Sequence, residues 1–136
     1  MSTPRYKWWS YVRWMIRLYP ERIAELRRRQ EAKTTAAYGI RSPSGSEVHR
    51  TTEDLGTVSL GRVVDLEIDA VRRALEDTAA LPDGDLRLQL IDSYYWKKTH
   101  DLDGAARAAF VSDVTGRRWN AEFVRTVARY FGLLDS

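Results

Sequence analysis

Apolar residues in this chain recur at intervals of three and four, and nowhere in sustained alternation. Leu60, Val64, Ile68, Val71 and Leu75 make the clearest run. That spacing lines one face of a helix, whereas a half-buried strand needs alternation. No segment carries a strand pattern or an internal repeat, so an all-α fold is expected. The 136 residues suit one domain, or a small core with an appended arm. An apolar fraction of 43% is enough to fill such a core.

The expected elements follow from this period and its interruptions. Within "YKWWSYVRWMIRLY", residues 6–19 read as a helix with only a narrow polar stripe of Ser10, Arg13 and Arg17. A helix apolar nearly all round needs cover from more than one neighbour. Pro20 does not continue it cleanly but suits the first turn of a second helix, running to about Lys33. Residues 1–33 are therefore expected to form a bent aromatic helical arm. Residues 34–56 are rich in Thr, Ser, Gly and Pro without a period, which predicts a flexible polar loop. Residues 57–136 hold a central amphipathic helix over about 57–80, stopped by "LPDGD", and then three helices at about 85–98, 102–109 and 113–132. Asp101 and Ser112 stand where N-caps belong.

Charge is distributed unevenly along the chain. Residues 1–35 carry +6 and residues 86–136 carry +2, flanking an acidic stretch of −4 over 56–85. Two basic segments around an acidic one suit a polyanionic partner, or an arm that folds back on its own acidic helix. The absence of cysteine removes disulfides, thiol catalysis and thiolate zinc sites, and fits a reducing cytoplasm. No stretch has the long uncharged apolar run of a signal peptide or membrane span.

The last fifty residues carry the functional expectation. A short alanine-rich helix, "LDGAARAAF", is joined by two or three residues to the helix that begins in "VSDVTGRRWNAEFVR". This is the helix-turn-helix arrangement. Small residues at Ala105, Ala106 and Ala109 let the two helices cross closely. Val111 plugs the turn, and Trp119 anchors the second helix. Ser112, Asp113, Val114, Arg117 and Arg118 are then left facing outward, the arginines suited to guanine edges or phosphates. Lys97, Lys98 and Arg107 are expected to hold the DNA backbone. Two positions depart from the usual motif: Phe110 replaces the turn glycine, and Gly116 replaces a Val or Ile. Either the two changes offset each other in bulk, or the turn is longer. The plainer alternative is a three-helix core that merely exposes two arginines.

Along most of its length the chain resembles the RinA/ArpU-like phage transcriptional regulators. The similarity runs from the aromatic N-terminal helix through "YPERIAELRRRQE" and the helix around Val64 to Leu75. Its C-terminal block, "LIDSYYWKKTHDLDGAARAAFVSDVTGRRWNAEFVRTVARYFGLL", is similar to a sigma-70 region 4 helix-turn-helix. The resemblance implies a late-gene activator for packaging and morphogenesis in a bacterial cytoplasm. It also implies base reading by Asp113, Val114, Thr115, Arg117 and Arg118. The alternatives are a small terminase-type packaging subunit that recognises genome ends and a protein-binding adaptor. Trp8, Trp9 and Trp14 on the arm would meet a second copy of the chain or host RNA polymerase.

Other features carry less. Arg27, Arg28 and Arg29 suit phosphates, a solvated face, or pairing with the acidic helix at 65–77. The aromatic basic arm has too narrow a polar stripe for an interfacial membrane helix. The pairs Asp65/Glu67, Asp83/Asp85 and Asp101/Asp103 diverge on a helix or sit at caps, and His49 and His100 stand alone. With no phosphate loop, dinucleotide fingerprint or hydrolase elbow, neither an enzyme nor a cofactor is expected.

Overall fold

The computed structural model of the chain describes residues 7–39 and 58–133, with the backbone alone over 35–39. The described residues form helices and no strand, as the period predicts. In order these are α1 (Trp9–Gly39), α2 (Arg62–Ala79), α3 (Gly84–Ile91), a π-helical turn (Asp92–Trp96), α4 (Leu102–Ala108) and α5 (Asp113–Phe131).

The expected break at Pro20 is not there: residues 9–39 form one helix with Pro20 inside it. A proline within a helix removes the N–H that would bond the carbonyl four residues back. Here that carbonyl belongs to Ile16, and it accepts instead from Trp96 Nε1 at 2.7 Å. The Trp96 ring also packs beside Tyr19, 6.1 Å between centroids. An indole from the π-helical turn thus supplies the donor that proline withholds. The helix also continues past Lys33, so residues 34–39 belong to it rather than to the loop. The rest of the expected loop, residues 40–56, lies outside the described residues.

Nor is α1 an appendage. Val12, Met15 and Ile16 are fully buried and Trp9 is 6% exposed. They share one core with Val71 and Ala74 of α2, Leu90 and Ile91 of α3, Tyr95, and Trp119, Phe123, Val124 and Val127 of α5. Each large apolar side chain buried this way contributes about 1.5–3 kcal/mol. Beyond Leu26 the helix leaves the core, and residues 27–33 are exposed.

The tie between α1 and the acidic helix comes from a residue the charge pattern did not single out. Arg22 Nη1 bonds Glu67 Oε1 at 2.6 Å, and Glu67, only 3% exposed, also accepts from the Tyr11 hydroxyl. Arg22 lies 4.9 Å over the Trp14 ring. Burial, reinforced by the bond to Glu67, pushes the Tyr11 hydroxyl pKa up to about 12. Arg28 and Arg29 instead pair with Glu25 on their own helix. Exposed pairs of that kind add little.

Local hydrogen bonds mark several of the remaining boundaries. Asp65, in the first turn of α2, accepts from the Leu60 N–H at 2.9 Å and from the Ser59 hydroxyl. Asp101 Oδ1 accepts from the Gly104 N–H at 2.8 Å and starts α4. Ser112 Oγ accepts from the Thr115 N–H at 3.1 Å and starts α5. Gly132, at φ 90°, ends α5 while the Leu133 N–H reaches back to the Ala128 carbonyl. Of the caps expected from the sequence, Asp101 and Ser112 are formed, whereas Asp83 takes the N-cap position of α3 at φ 59° without a side-chain cap bond.

Candidate nucleic-acid interface

Helices α4 and α5 cross closely because both are stripped of bulk where they meet. Ala105, Ala106 and Ala109 are buried, and a Cβ at Gly116 would stand 2.6 Å from the Ala106 Cβ and 3.3 Å from Leu90 Cδ1. No side chain fits there without displacing α4. The connection is four residues, 109–112, one longer than the upper expectation. Within it the Val111 N–H bonds the Ala106 carbonyl at 3.0 Å, and Val111 packs against the core.

Phe110 sits in this turn at φ 62° with 88% of its surface exposed. The bulk at Phe110 therefore does not fill the space that Gly116 leaves, as an offset between the two would require. Closer helix approach fills that space, and the phenyl ring faces solvent. An aromatic residue in the left-handed region is tolerated but strained, and such strain clusters at functional sites.

The first two turns of α5 divide into inner and outer faces. Gly116, Trp119 and Asn120 are buried, and Asn120 Oδ1 accepts from the buried Tyr95 hydroxyl. Burial pushes that hydroxyl pKa up to about 12, opposed by the nearby Arg13 charge. Trp119 is covered by the Arg87 guanidinium, 5.0 Å from the ring, which also pairs with Glu122 at 3.4 Å. On the outer side, Ser112, Val114, Arg117 and Arg118 are exposed, while Asp113 and Thr115 are half-buried. The structure thus brings the sequence-named outward residues to one end of one helix, next to Phe110.

Their pairings differ. Arg117 Nη2 bonds Asp103 Oδ2 of α4 at 2.9 Å. Arg107 Nε stands 3.9 Å from Asp113 Oδ1, at the outer limit of an ion pair. Arg118 makes no ion pair among the described residues. The Ser112 hydroxyl is committed to its cap and also lies 3.0 Å from the Thr115 hydroxyl. Of the expected backbone-holding residues, Lys97 pairs with Asp92 at 3.1 Å, and Lys98 is exposed at φ 54°.

The three arm tryptophans separate. Trp9 is a core side chain, so it is not available as a partner contact. Trp8 is half-buried beside it, and Trp14 keeps 44% of its surface exposed. Sequence reasoning missed Asp103 as the partner of Arg117 and Glu67 as a buried carboxylate. The Asp103 pairing depends on how α4 crosses α5, and that of Glu67 on partners 45 and 56 positions away. His49 lies outside the described residues and His100 is exposed. Among the described residues no group of His, Asp and Glu lies together as a metal site, and no helix is long and apolar enough to cross a membrane. No protein family, curated protein or solved structure matches the chain.

Proposed function

We propose that the chain is a sequence-specific DNA-binding transcription regulator in which α4 and α5 work as a helix-turn-helix, with the start of α5 in the major groove. The observation that carries this is the two-faced start of α5: Gly116 and Trp119 lock it down while Ser112, Val114, Arg117 and Arg118 face outward. The major groove of B-DNA admits one helix, and an arginine there makes paired bonds to a guanine edge. Arg118 meets DNA without first giving up a partner, whereas Arg117 must exchange Asp103. The similarity of the C-terminal block to sigma region 4 supports promoter DNA as the target. It also supports phage late-gene activation in the bacterial cytoplasm, with host polymerase or a second copy of the chain as partner.

Sequencing of genomic fragments retained by the full chain tests this, with promoter-proximal enrichment expected. On the enriched site, Arg118→Ala should weaken binding by about 1–3 kcal/mol, the worth of one paired base contact. The helical circular-dichroism signal should stay intact. Absence of any enriched sequence, or wild-type affinity in Arg118→Ala, overturns the assignment.

A further inference from the structure

The basic character of α1 is not used by the α5 interface, and part of it is arranged in an unusual way. Arg13 is half-buried, and its Nη2 donates to a neutral group, the Tyr94 hydroxyl, at 2.6 Å. Its Nε is buried with no hydrogen-bond partner among the described residues. Its guanidinium lies 5.6 Å from the Tyr94 ring centre and 5.8 Å from that of Tyr95. One helical turn on, Arg17 approaches the same Tyr95 ring at 6.0 Å and is exposed. Neither arginine makes an ion pair among the described residues, and Glu21, four residues past Arg17, is not within pairing distance of it. Two guanidinium groups therefore approach one aromatic ring with no carboxylate within ion-pair distance of either among the described residues.

Ring faces compensate a cation only in part, by about 0.5–2 kcal/mol. Half-burying a charge without a counter-charge is costly, so the arrangement gains from an anion that completes it. The Tyr94 hydroxyl accepts from Arg13, which leaves its own proton free to donate. Tyr94 and Tyr95 are placed by the π-helical turn, a distortion that recurs at functional sites. Arginine forks match the oxygens of a phosphate.

We infer that Arg13, Arg17 and the Tyr94 hydroxyl form an anion site that takes a phosphate group. Its source is a backbone phosphate of bound DNA or a free phosphate ion. The site is built from α1 and the π-helical turn, so it stands or falls apart from base reading by α5.

The test follows the side-chain N–H resonances of Arg13 and Arg17 in the isotope-labelled full chain. One arm adds inorganic phosphate, and the other adds a short duplex of random sequence. Saturable shifts of both resonances are expected in at least one arm, with loss of the Arg13 shift in Arg17→Gln and in Tyr94→Phe. The phenylalanine variant keeps the ring, so unchanged core methyl resonances show that its fold is retained. If DNA is the source, Arg17→Gln also lowers the slope of log affinity against log salt by about 0.9. A response to phosphate alone assigns a free ion and leaves the inference standing even if the chain binds no DNA. No shift in either arm, or full shifts in both variants, overturns it.

Discussion

Trp96 shows how one residue can make a helix possible elsewhere in the chain. Its indole N–H serves a carbonyl 80 positions away, the one that Pro20 leaves without a helical donor. Trp96→Phe keeps an aromatic ring and removes the donor, so it should cost about 1–3 kcal/mol for a half-enclosed carbonyl left unpaired. In a Pro20→Ala background the substituted residue brings back the backbone donor, and the cost of Trp96→Phe should shrink. A double-mutant cycle by urea denaturation reads this coupling, and simple additivity would refute it. The two most strongly raised tyrosines, Tyr11 and Tyr95, make a second residue-scale prediction. Unfolded tyrosines ionise near pH 10, while Tyr11 and Tyr95 hold their protons to about 12 in the fold. Their contribution is therefore fully present below about pH 10 and is lost as pH rises through about 12. Denaturation midpoints measured alongside tyrosinate absorbance should fall across that window, and less steeply in a Tyr11→Phe, Tyr95→Phe double variant. Equal slopes for the two proteins would remove these hydroxyls as the cause.

Elements were legible in the sequence wherever local rules fix them. The stripe of Trp119, Phe123 and Val127 on α5 was readable because the core demands it. The caps Asp101 and Ser112 were readable because their bonds span three residues. What was not readable depends on distant partners: Pro20 on Trp96, and Glu67 on Tyr11 and Arg22, 56 and 45 positions away. Phe110 and Gly116 lie between these cases. Both were visible as departures from the usual motif, but only packing shows that they are not a matched exchange. The closeness of α4 to α5 makes Gly116→Val, the change toward the usual motif, an unfavourable one. Its Cβ alone overlaps Ala106 and stands 3.3 Å from Leu90 Cδ1, before two methyl groups are added. Overpacking of this kind costs about 1–3 kcal/mol. A urea midpoint at or above wild type would mean that the crossing yields more easily than its geometry implies.

At the scale of the whole molecule, a division into an arm and a C-terminal domain is at odds with where the core lies. Val12, Met15, Ile16 and Trp9 are buried against residues of α2, α3 and α5, so α1 closes the core instead of leaning on it. The buried Arg22–Glu67 link and the Trp96 bond to Ile16 add polar ties across the same boundary. A fragment of residues 57–136 would keep the α4–α5 crossing, whose contacts are local, but would open the face that α1 covers. Four large apolar side chains withdrawn from that face amount to roughly 6–12 kcal/mol of lost burial at about 1.5–3 kcal/mol each. A small domain is typically stable by only about 5–15 kcal/mol in total. The fragment is therefore expected to remain helical yet lose its sharp urea transition, with the dispersed methyl resonances of the full chain collapsing. Addition of a peptide spanning residues 7–33 should restore part of that dispersion. A fragment that unfolds as cooperatively as the full chain would show instead that α2 to α5 close a core of their own, and that α1 is the arm its sequence suggests.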